Sequence, residues 1–246
     1  MKRLLILGGT GEAAKLAAQA ALLPGVEVIT SLAGRTHRPV TPSGRVRIGG
    51  FGGDAGLIDY MREQHVDLLI DATHPFAAHI SFNAATAAQV CGLPHLLLVR
   101  PPWEPMEGDR WIAVESIAAA VSILPSVAQR VFLTTGRQDL AAFAPLKDLW
   151  FLMRMIDPPT PDTPVPPGTL VLERGPFTLE DERELLQTYA IGVIVSKNSG
   201  GDATYAKIRA ARELALPVVM IQRPPTPAGE RVADVEEALA WLARHL

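Results

Sequence analysis

Short, mostly apolar segments recur along the chain, and most of them run into a polar or glycine-rich turn and then into a helical pattern. The first occupies residues 4–7, before Gly8-Gly-Thr-Gly11 and a run of small residues with helical spacing. Similar segments follow at residues 26–31, 66–71, 94–99, 130–135, 150–155, 169–172, 191–196 and 217–221. Apolar runs of this length are typical of strands buried on both faces of a parallel sheet. Their alternation with helical patterns predicts an α/β fold.

The alternation is interrupted once, near the middle of the chain. The strand pattern at residues 94–99 ends in Arg100-Pro-Pro-Trp-Glu-Pro. Because proline ends both helices and strands, we predict an inter-domain linker at residues 100–109. We therefore expect two Rossmann-like parallel-sheet domains, residues 1–105 and 106–246, with a cleft between their ligand-binding edges. An amphipathic helix at residues 234–246 would close the second domain.

The turn after the first strand favours an anion. A helix that begins directly after a strand presents free backbone N–H groups and the positive end of its dipole at the sheet edge. Glycines there let a diphosphate approach the backbone, and Ala14 takes the last small position of the usual G-x-G-x-x-G pattern. We predict a nucleotide site at Gly8, Gly9, Thr10, Gly11 and Glu12. A tight connection without a ligand is the alternative.

The end of the second strand indicates which dinucleotide would bind. An acidic residue at this position usually binds the ribose 2′-hydroxyl of NAD. This chain has Ser31 and then Arg35-Thr36 instead. A hydroxyl and a guanidinium suit a 2′-phosphate, which favours NADP. Arg35 is alternatively a solvated loop cation.

The strand pattern at residues 66–71 also ends in a polar turn, with Thr73 and His74 at the expected ligand edge. We expect Asp54 to cap a helix at residues 55–65 and Pro75 to lie in the first turn of the next helix. Asp71, His74 and His79 have metal-ligating side chains, but no further ligand converges with them, so we expect no metal. His74 as a helix cap is the alternative to a functional role.

Turns in the second half combine cations with backbone donors. Arg137, Arg174 and Lys197-Asn-Ser-Gly200 each follow a predicted strand. Guanidinium and ammonium groups beside helix N-termini suit anions, and carboxylates are the expected ligands here. Each turn taken alone is equally typical of a cap or a surface charge. As a set, the turns predict a site.

Composition narrows the class of protein. A net charge of −3 over 246 residues gives no global attraction to nucleic acid or to an anionic membrane. No apolar stretch is long enough to span a bilayer, and the N-terminal apolar run is too short for a signal peptide. The single cysteine, Cys91, allows no internal disulfide, so we expect a cytoplasmic protein.

The sequence lacks several catalytic signatures. It contains neither a G-x-S-x-G elbow nor a P-loop, and Tyr205 and Lys207 are two residues apart rather than four. No nucleophile–base pair stands out. Hydride transfer fits this absence, because the cofactor carries the chemistry.

The turns together resemble one known family. The motifs are Leu7-Gly-Gly-Thr-Gly-Glu-Ala, Ser31-Leu-Ala-Gly-Arg-Thr, Gly49-Gly-Phe-Gly-Gly, Asp71-Ala-Thr-His-Pro-Phe-Ala, Thr134-Thr-Gly-Arg-Gln, Arg174-Gly-Pro-Phe and Lys197-Asn-Ser-Gly-Gly. In this order they resemble the precorrin-6A reductase family of cobalamin biosynthesis. The resemblance implies NADPH-dependent reduction of a double bond in the precorrin-6A macrocycle, giving precorrin-6B.

The resemblance also implies roles for these residues. NADPH would bind through Gly8–Glu12, Ser31, Arg35 and Thr36, with Thr73 near the nicotinamide and His74 as a candidate proton donor. The carboxylates of the tetrapyrrole would bind to Arg137, Arg174, Lys197, Asn198, Ser199 and Gly200. Three alternatives stay open: a cobalt-precorrin-6A reductase of the anaerobic pathway, another NADP-dependent reductase, and a non-catalytic dinucleotide-sensing module. The sequence defines no oligomeric state, and a monomer is compatible with it.

Overall fold

The computed structural model describes residues 1–34 and 43–246. The chain forms two compact units. The first unit comprises Met1–Pro101 and Pro224–Leu246, and the second comprises Pro102–Arg223. The first change of unit, between Pro101 and Pro102, falls within residues 100–109. The last 23 residues differ from the prediction, because they return to the first unit instead of completing the second.

Strands and helices alternate along most of the chain. The strands are β1 (Lys2–Leu7), β2 (Val26–Leu32), β3 (Arg45–Ile48), β4 (Leu68–Asp71), β5 (His95–Leu98), β6 (Arg110–Val114), β7 (Arg130–Leu133), β8 (Trp150–Met155), β9 (Gly168–Leu172), β10 (Val193–Lys197), β11 (Pro217–Ile221) and β12 (Glu230–Val232). The helices are α1 (Gly11–Ala20), α2 (Asp54–Glu63), α3 (Ala78–Cys91), α4 (Ile117–Val127), α5 (Leu140–Phe143), α6 (Leu179–Thr188), α7 (Ala206–Glu213) and α8 (Val235–Arg244).

Each unit is built on a six-stranded sheet. The orders are β12-β5-β4-β1-β2-β3 in the first unit and β6-β11-β10-β7-β8-β9 in the second. All strand pairs of both sheets are parallel. The prediction of two Rossmann-like parallel sheets is therefore confirmed.

The two sheets share one spatial order of strands. In each, a central strand (β1 or β7) has two later strands on one side and three strands on the other, which is the 3-2-1-4-5-6 order of dinucleotide-binding folds. The sixth strand does not follow its neighbours in chain order. The end of the chain supplies β12 to the first sheet, and β6 joins the second sheet as soon as the chain has entered it.

Alternate residues of β1 pack into different helical layers. Leu4 and Ile6 face a cluster that includes Leu16 of α1 and Trp241 of α8. Leu5 and Leu7 face the opposite cluster, which contains Leu57 and Met61 of α2. Because residues 4–7 of β1 are covered on both faces, all four are apolar, and the charged Lys2 and Arg3 stand at the less buried start of the strand. The C-terminal helix belongs to the first unit because Trp241, which is almost fully buried there, is part of this core.

Two predicted helix beginnings are wrong. Gly53 precedes α2, and Asp54 lies inside its first turn, where Oδ1 accepts a hydrogen bond from the backbone N–H of Ala55. Pro75 is three residues before α3, because a turn closed by the bond from Ala77 N–H to the carbonyl of His74 intervenes. Gly53 is thus the N-cap of α2 in place of Asp54, and the turn at residues 74–77 separates Pro75 from the first turn of α3.

Candidate cofactor and substrate sites

The turn from β1 to α1 leaves room above its backbone. Gly9 has φ +116°, which favours glycine, and a Cβ added at Gly9 or Gly11 would meet no atom within 4 Å. A Cβ at Gly8 would lie 3.2 Å from Cγ2 of Thr30, so Gly8 serves strand–helix packing. The space beside Gly9 and Gly11 is therefore open at the N-terminus of α1, where the helix dipole favours a phosphate.

Thr10 connects the two turns that flank the point where the strand order reverses. Its hydroxyl accepts a hydrogen bond from the backbone N–H of Ala13 (3.1 Å) and donates one to the carbonyl of Ala72 (2.8 Å). The backbone N–H of Ala72 in turn donates to the carbonyl of Leu7 (2.9 Å). Thr10 thus caps α1 and fixes the turn after β4 beside the turn after β1.

Glu12 forms an ion pair with a residue that the sequence analysis left in the linker. Nη1 of Arg100 lies 2.9 Å from Oε1 and 2.8 Å from Oε2 of Glu12. Partial burial alone raises the pKa of Glu12, but its own backbone N–H and the Arg100 guanidinium favour the charged form and bring the pKa below its usual value. Arg100 follows β5, so the rule that selected the other strand-end residues would also have selected it.

These residues line a depression at the ligand edge of the first sheet. Its empty volume is about 190 Å³, part of which is open to solvent, and its lining consists of Thr10, Glu12, Thr73, Pro75, Leu98 and Arg100. The lining residues lie at or just after the carboxyl ends of β1, β4 and β5. The depression is therefore next to the reversal of strand order between β1 and β4, where open α/β sheets bind ligands.

The turn after β4 is ordered by Asp71. Its Oδ1 accepts hydrogen bonds from the backbone N–H (3.0 Å) and the hydroxyl (2.7 Å) of Thr73. Nδ1 of His74 accepts a hydrogen bond from the backbone N–H of Phe76 (3.2 Å). A neutral imidazole whose Nδ1 accepts carries its proton on Nε2. His74 is half-buried and is thus oriented by the turn rather than by a helix.

Ser31 lies at the carboxyl end of β2, beside the first turn. Its carbonyl accepts from the backbone N–H of Gly8 (2.9 Å), and its Oγ lies 3.3 Å from Nη1 of Arg47. Arg47 lies on β3, directly opposite Ser31 in the strand register. The predicted Arg35 and Thr36 fall outside the described residues.

In the second unit, the structure brings two predicted turns together. Lys197, at the end of β10, lies 2.7 Å from Oδ2 of Asp139, in the turn that follows β7. Arg137 is in the same turn, and its Nη1 is 3.5 Å from the carbonyl of Pro158. Arg174 lies beyond β9 and is exposed. Its neighbour Gly175 approaches the loop after β10, because an added Cβ there would be 3.0 Å from the carbonyl of Ala203.

Asn198 is anchored instead of facing solvent. Its Oδ1 accepts from the backbone N–H of Trp103 (2.8 Å), and its Nδ2 donates to the carbonyl of Trp103 (3.0 Å). The indole N–H of Trp103 donates to the carbonyl of Gly201 (2.8 Å). Arg223 donates to the carbonyls of Asn198 and Ser199. Asn198, predicted as a ligand, therefore determines the shape of the loop that carries Ser199 and Gly200.

A buried group of charges lies in the second unit. Nη2 of Arg154, on β8, donates to Oε1 of Glu182, on α6, at 2.6 Å. Nζ of Lys207, on α7, donates to the carbonyl of Thr204 and lies 5.0 Å from the ring centre of Trp103. Burial lowers the pKa of Lys207 to about 7, against a smaller raising effect of Glu182. Burial of these three side chains was not predicted, because charged residues normally face solvent.

Two absences bear on other functions. Residues 1–34 and 43–246 contain no group of three or more histidine, cysteine, aspartate or glutamate residues arranged to hold a metal ion. In the same residues, no helix combines the length and the apolar character that crossing a membrane requires.

Comparison with known proteins gives a consistent result along the whole chain. The family model described as "Precorrin-6x reductase CbiJ/CobK" matches residues 3–243. The chain is 54% identical over 244 residues to a precorrin-6A reductase of Rhodococcus erythropolis, covering 98% of each protein. It is 46% identical to a precorrin-6A reductase of Rhodobacter capsulatus, covering 100% of this chain and 97% of the relative.

More distant relatives and a solved structure agree with this match. A cobalt-precorrin-6A reductase of Priestia megaterium is 30% identical over 195 residues, which cover 74% of this chain and 75% of the relative. The solved structure of a CobK precorrin-6A reductase superposes with a TM-score of 0.93 at 46% identity, covering 100% of this chain and 97% of that one.

Proposed function

We infer the reaction of this protein from one premise: the chain belongs to the precorrin-6x reductase family and is an oxidoreductase of cobalamin biosynthesis. We propose that it uses NADPH to reduce a double bond of precorrin-6A. The observation that supports this most directly is the open, glycine-lined turn at the N-terminus of α1, in a sheet with dinucleotide-binding strand order.

Precorrin-6A is the proposed substrate because relatives named for this substrate are more similar in sequence to this chain than relatives named for its cobalt analogue. Relatives named precorrin-6A reductase match almost the whole chain at 46–54% identity. Those named cobalt-precorrin-6A reductase match at 26–30%. The cobalt-bearing analogue is therefore the second candidate substrate.

The first unit fits a dinucleotide. Gly9 and Gly11 leave space for the diphosphate above the N-terminal amides of α1. Thr10 contributes by holding the turns after β1 and β4 together, and Ser31 lies at the end of β2, where the adenosine ribose is expected. Thr73 lines the depression at the strand reversal, where we propose the nicotinamide. Bound NADPH supplies the hydride.

His74 is the proposed proton donor to the reduced macrocycle. The near-neutral pKa range of histidine suits proton transfer, and the acid is the imidazolium, which carries protons on both ring nitrogens. Protonation of His74 therefore requires Nδ1 to give up the hydrogen bond that it accepts from Phe76 N–H in the neutral ring. Replacement of His74 by alanine should lower turnover while NADPH still binds. Unchanged turnover would remove His74 from this role, and a water would then be the donor.

The cations at the ligand edge of the second unit are proposed to bind the carboxylates of the macrocycle. Arg137 and Arg174 would donate directly, and the Lys197–Asp139 pair would supply a further donor. Ser199 and Gly200 would offer a hydroxyl and a backbone N–H from the same loop. Asn198 would support them through its bonds to Trp103.

One assay tests the function. Purified protein is mixed with NADPH and precorrin-6A, and the absorbance of the reduced cofactor is followed. We expect NADPH oxidation that depends on precorrin-6A, with the cobalt analogue as the competing substrate. NADPH binding without oxidation of the cofactor by either substrate would indicate a dinucleotide-sensing module. A cytoplasmic location is proposed because the chain has a single cysteine.

A further inference from the structure

One guanidinium on β3 lies beside the carboxyl end of β2 and forms no ion pair with a carboxylate of residues 1–34 or 43–246. Nη1 of Arg47 lies 2.5 Å from the carbonyl of Gly49 and 3.3 Å from Oγ of Ser31, and Nη2 lies 2.7 Å from the carbonyl of Gly50. The guanidinium also stacks over the ring of Phe51, with 3.8 Å from Cζ to the ring centre. Arg47 is thus held in one position by oxygens that carry no formal charge.

The other arginine of the strand differs. Nη1 of Arg45 is 3.2 Å from a carboxylate oxygen of Glu27, and the Arg45 side chain is 57% exposed. Its charge is therefore compensated and solvated. Arg47 retains a net positive charge, and a guanidinium has five N–H donors, of which the contacts to Gly49, Gly50 and Ser31 need only part.

The position of Arg47 in the sheet is the second observation. Arg47 pairs with Ser31, the penultimate residue of β2. In the 3-2-1-4-5-6 order, the end of the second strand meets the adenosine ribose, and an arginine there accommodates a 2′-phosphate.

The loop after β3 provides room for a ligand. A Cβ added at Gly49, Gly50, Gly52 or Gly53 would meet no atom within 4 Å. Among the described residues, the Cβ side of these four glycines is therefore open, and an anion that approached the loop there would meet no side chain of a glycine position.

We propose that Arg47, with the hydroxyl of Ser31, binds the ribose 2′-phosphate of NADPH and selects NADPH over NADH. This inference rests on the proposed function, because it concerns the cofactor of the same reaction. It adds a residue of β3 to a site that was predicted from Ser31, Arg35 and Thr36. The ring of Phe51 and the carbonyls of Gly49 and Gly50 pre-orient the guanidinium, so that little side-chain entropy is lost on binding.

The test compares Arg47→Ala with Arg45→Ala, a matched change two residues away on the same strand. Equilibrium dissociation constants are measured for NADPH, NADH, adenosine 2′,5′-bisphosphate and AMP by fluorescence or calorimetry. Loss of a charge-assisted bond predicts a 10- to 100-fold weaker affinity of Arg47→Ala for NADPH and the bisphosphate. Its affinities for NADH and AMP should change less than about threefold. Arg45→Ala should match the wild type for all four.

Arg47→Lys separates charge from loop structure. It keeps a cation but loses the planar fork, so it should recover part of the preference for NADPH. Equal weakening of NADPH and NADH by Arg47→Ala would show that Arg47 only shapes the loop, and would overturn the assignment. Unchanged NADPH affinity would also overturn it and leave Arg35 as the 2′-phosphate ligand. A wild-type protein that binds neither dinucleotide would refute the proposed function itself.

Discussion

The two units share a strand order but differ where a cofactor would bind. After β1, the chain passes through three residues into α1, a ten-residue helix with its N-terminus at the sheet edge. After β7, the chain forms a single 3₁₀ turn at Arg137–Asp139 and the four-residue helix α5. A short helix has a weaker dipole and fewer aligned N–H groups. The long helix that the proposed dinucleotide site uses therefore follows the central strand of the first unit but not that of the second.

The interiors differ as well. In the first unit, the buried charged residue Asp71 accepts two hydrogen bonds from Thr73. The second unit buries Arg154, Glu182 and Lys207, whose exposures are 7%, 1% and 4%. Arg154 also stacks over the ring of Phe177, 3.7 Å away, in the loop that carries Arg174. The second unit thus uses buried charges beneath the loops that we propose to hold the substrate.

The largest expected effect comes from breaking the buried pair. Glu182→Leu leaves the Arg154 guanidinium with only Glu173, 3.8 Å away, so the free energy of unfolding should fall by about 3–5 kcal/mol. Urea unfolding monitored by tryptophan fluorescence measures this, because Trp103, Trp111 and Trp150 lie in the second unit.

The control for this change is the exposed pair of Arg183 and Glu213, whose side chains are 43% and 42% exposed. Arg183→Ala should cost less than about 1 kcal/mol. If Glu182→Leu lowers the free energy of unfolding by no more than this control, the buried pair does not stabilise the second unit more than an exposed pair does.

The next effect is a dependence of stability on pH that originates at Lys207. Its pKa is about 7 in the folded protein, against about 10.4 in an unfolded chain. Between these values the unfolded chain binds a proton that the folded protein does not, so the unfolding free energy should rise with pH by up to about 1.4 kcal/mol per unit. Below pH ~7 both states are protonated, and the cost of the buried charge is fully present.

Lys207→Met should lack this contribution. Its stability relative to the wild type should be highest near pH 6 and should decline toward pH 9, as measured by urea unfolding at intervals across this range. The exposed Lys147→Met is the control and should show no such trend. A difference between Lys207→Met and the wild type that stays constant with pH would contradict the prediction.

A smaller effect, on the affinity for NADPH, should distinguish the turn at Gly9 from the turn at Gly136. Gly9 and Gly136 have φ values of +116° and +91°, and a Cβ would meet nothing within 4 Å at either. Both alanine variants therefore incur similar strain, about 1–2 kcal/mol. Gly9→Ala should weaken NADPH binding about tenfold or more by occupying the phosphate space, whereas Gly136→Ala should change it less than about twofold. Dissociation constants for NADPH are the measurement, and equal effects would place the cofactor elsewhere.

The smallest effect concerns the ion pair at the start of α1. Glu12→Gln should lower stability by about 0.5–1 kcal/mol at neutral pH, because Arg100 loses its charged partner. The pKa of Glu12 is lowered on folding, so its contribution is present above the ordinary carboxyl pKa and is lost as the pH falls through the folded value. The deficit of Glu12→Gln should therefore shrink below pH ~4.

Thermal unfolding from neutral to acid pH provides this measurement. Glu63→Gln, an exposed change on α2, is the control and should be neutral throughout. A deficit of Glu12→Gln that persists unchanged in acid would mean that the carboxylate charge is not its cause.

Much of the fold could be predicted because buried parallel strands leave a clear pattern. β8 and β11 have the bounds that their apolar runs indicate. β12 could not be predicted, because Glu230-Arg-Val232 is short and carries two charges at the edge of the sheet. Its pairing with β5, which lies more than 130 residues earlier in the sequence, leaves no local signal.

The candidate site was predictable as a set of turns but not in its internal contacts. Gly9 and Gly11 follow from spacing alone, whereas the partner of Asn198 is Trp103, 95 residues away. In the sequence, a polar residue of a glycine-rich loop that binds a ligand cannot be distinguished from one that forms hydrogen bonds to the protein itself. Arg47 did leave a signal, since Arg45-Val-Arg-Ile48 alternates polar and apolar residues, but only the structure shows which arginine lies beside Ser31.

The late return of the chain to the first unit has a consequence for biosynthesis. On a translating ribosome, every strand of the second sheet is synthesised by Ile221, before β12 and α8 exist. The second unit therefore has all of its strands in the growing chain before the first unit does, because Trp241 and its neighbours in the first core are synthesised last. A truncated chain that ends before residue 224 would contain every strand of the second sheet and lack β12 and α8 of the first, the reverse of the usual vectorial order, in which the N-terminal unit is complete first.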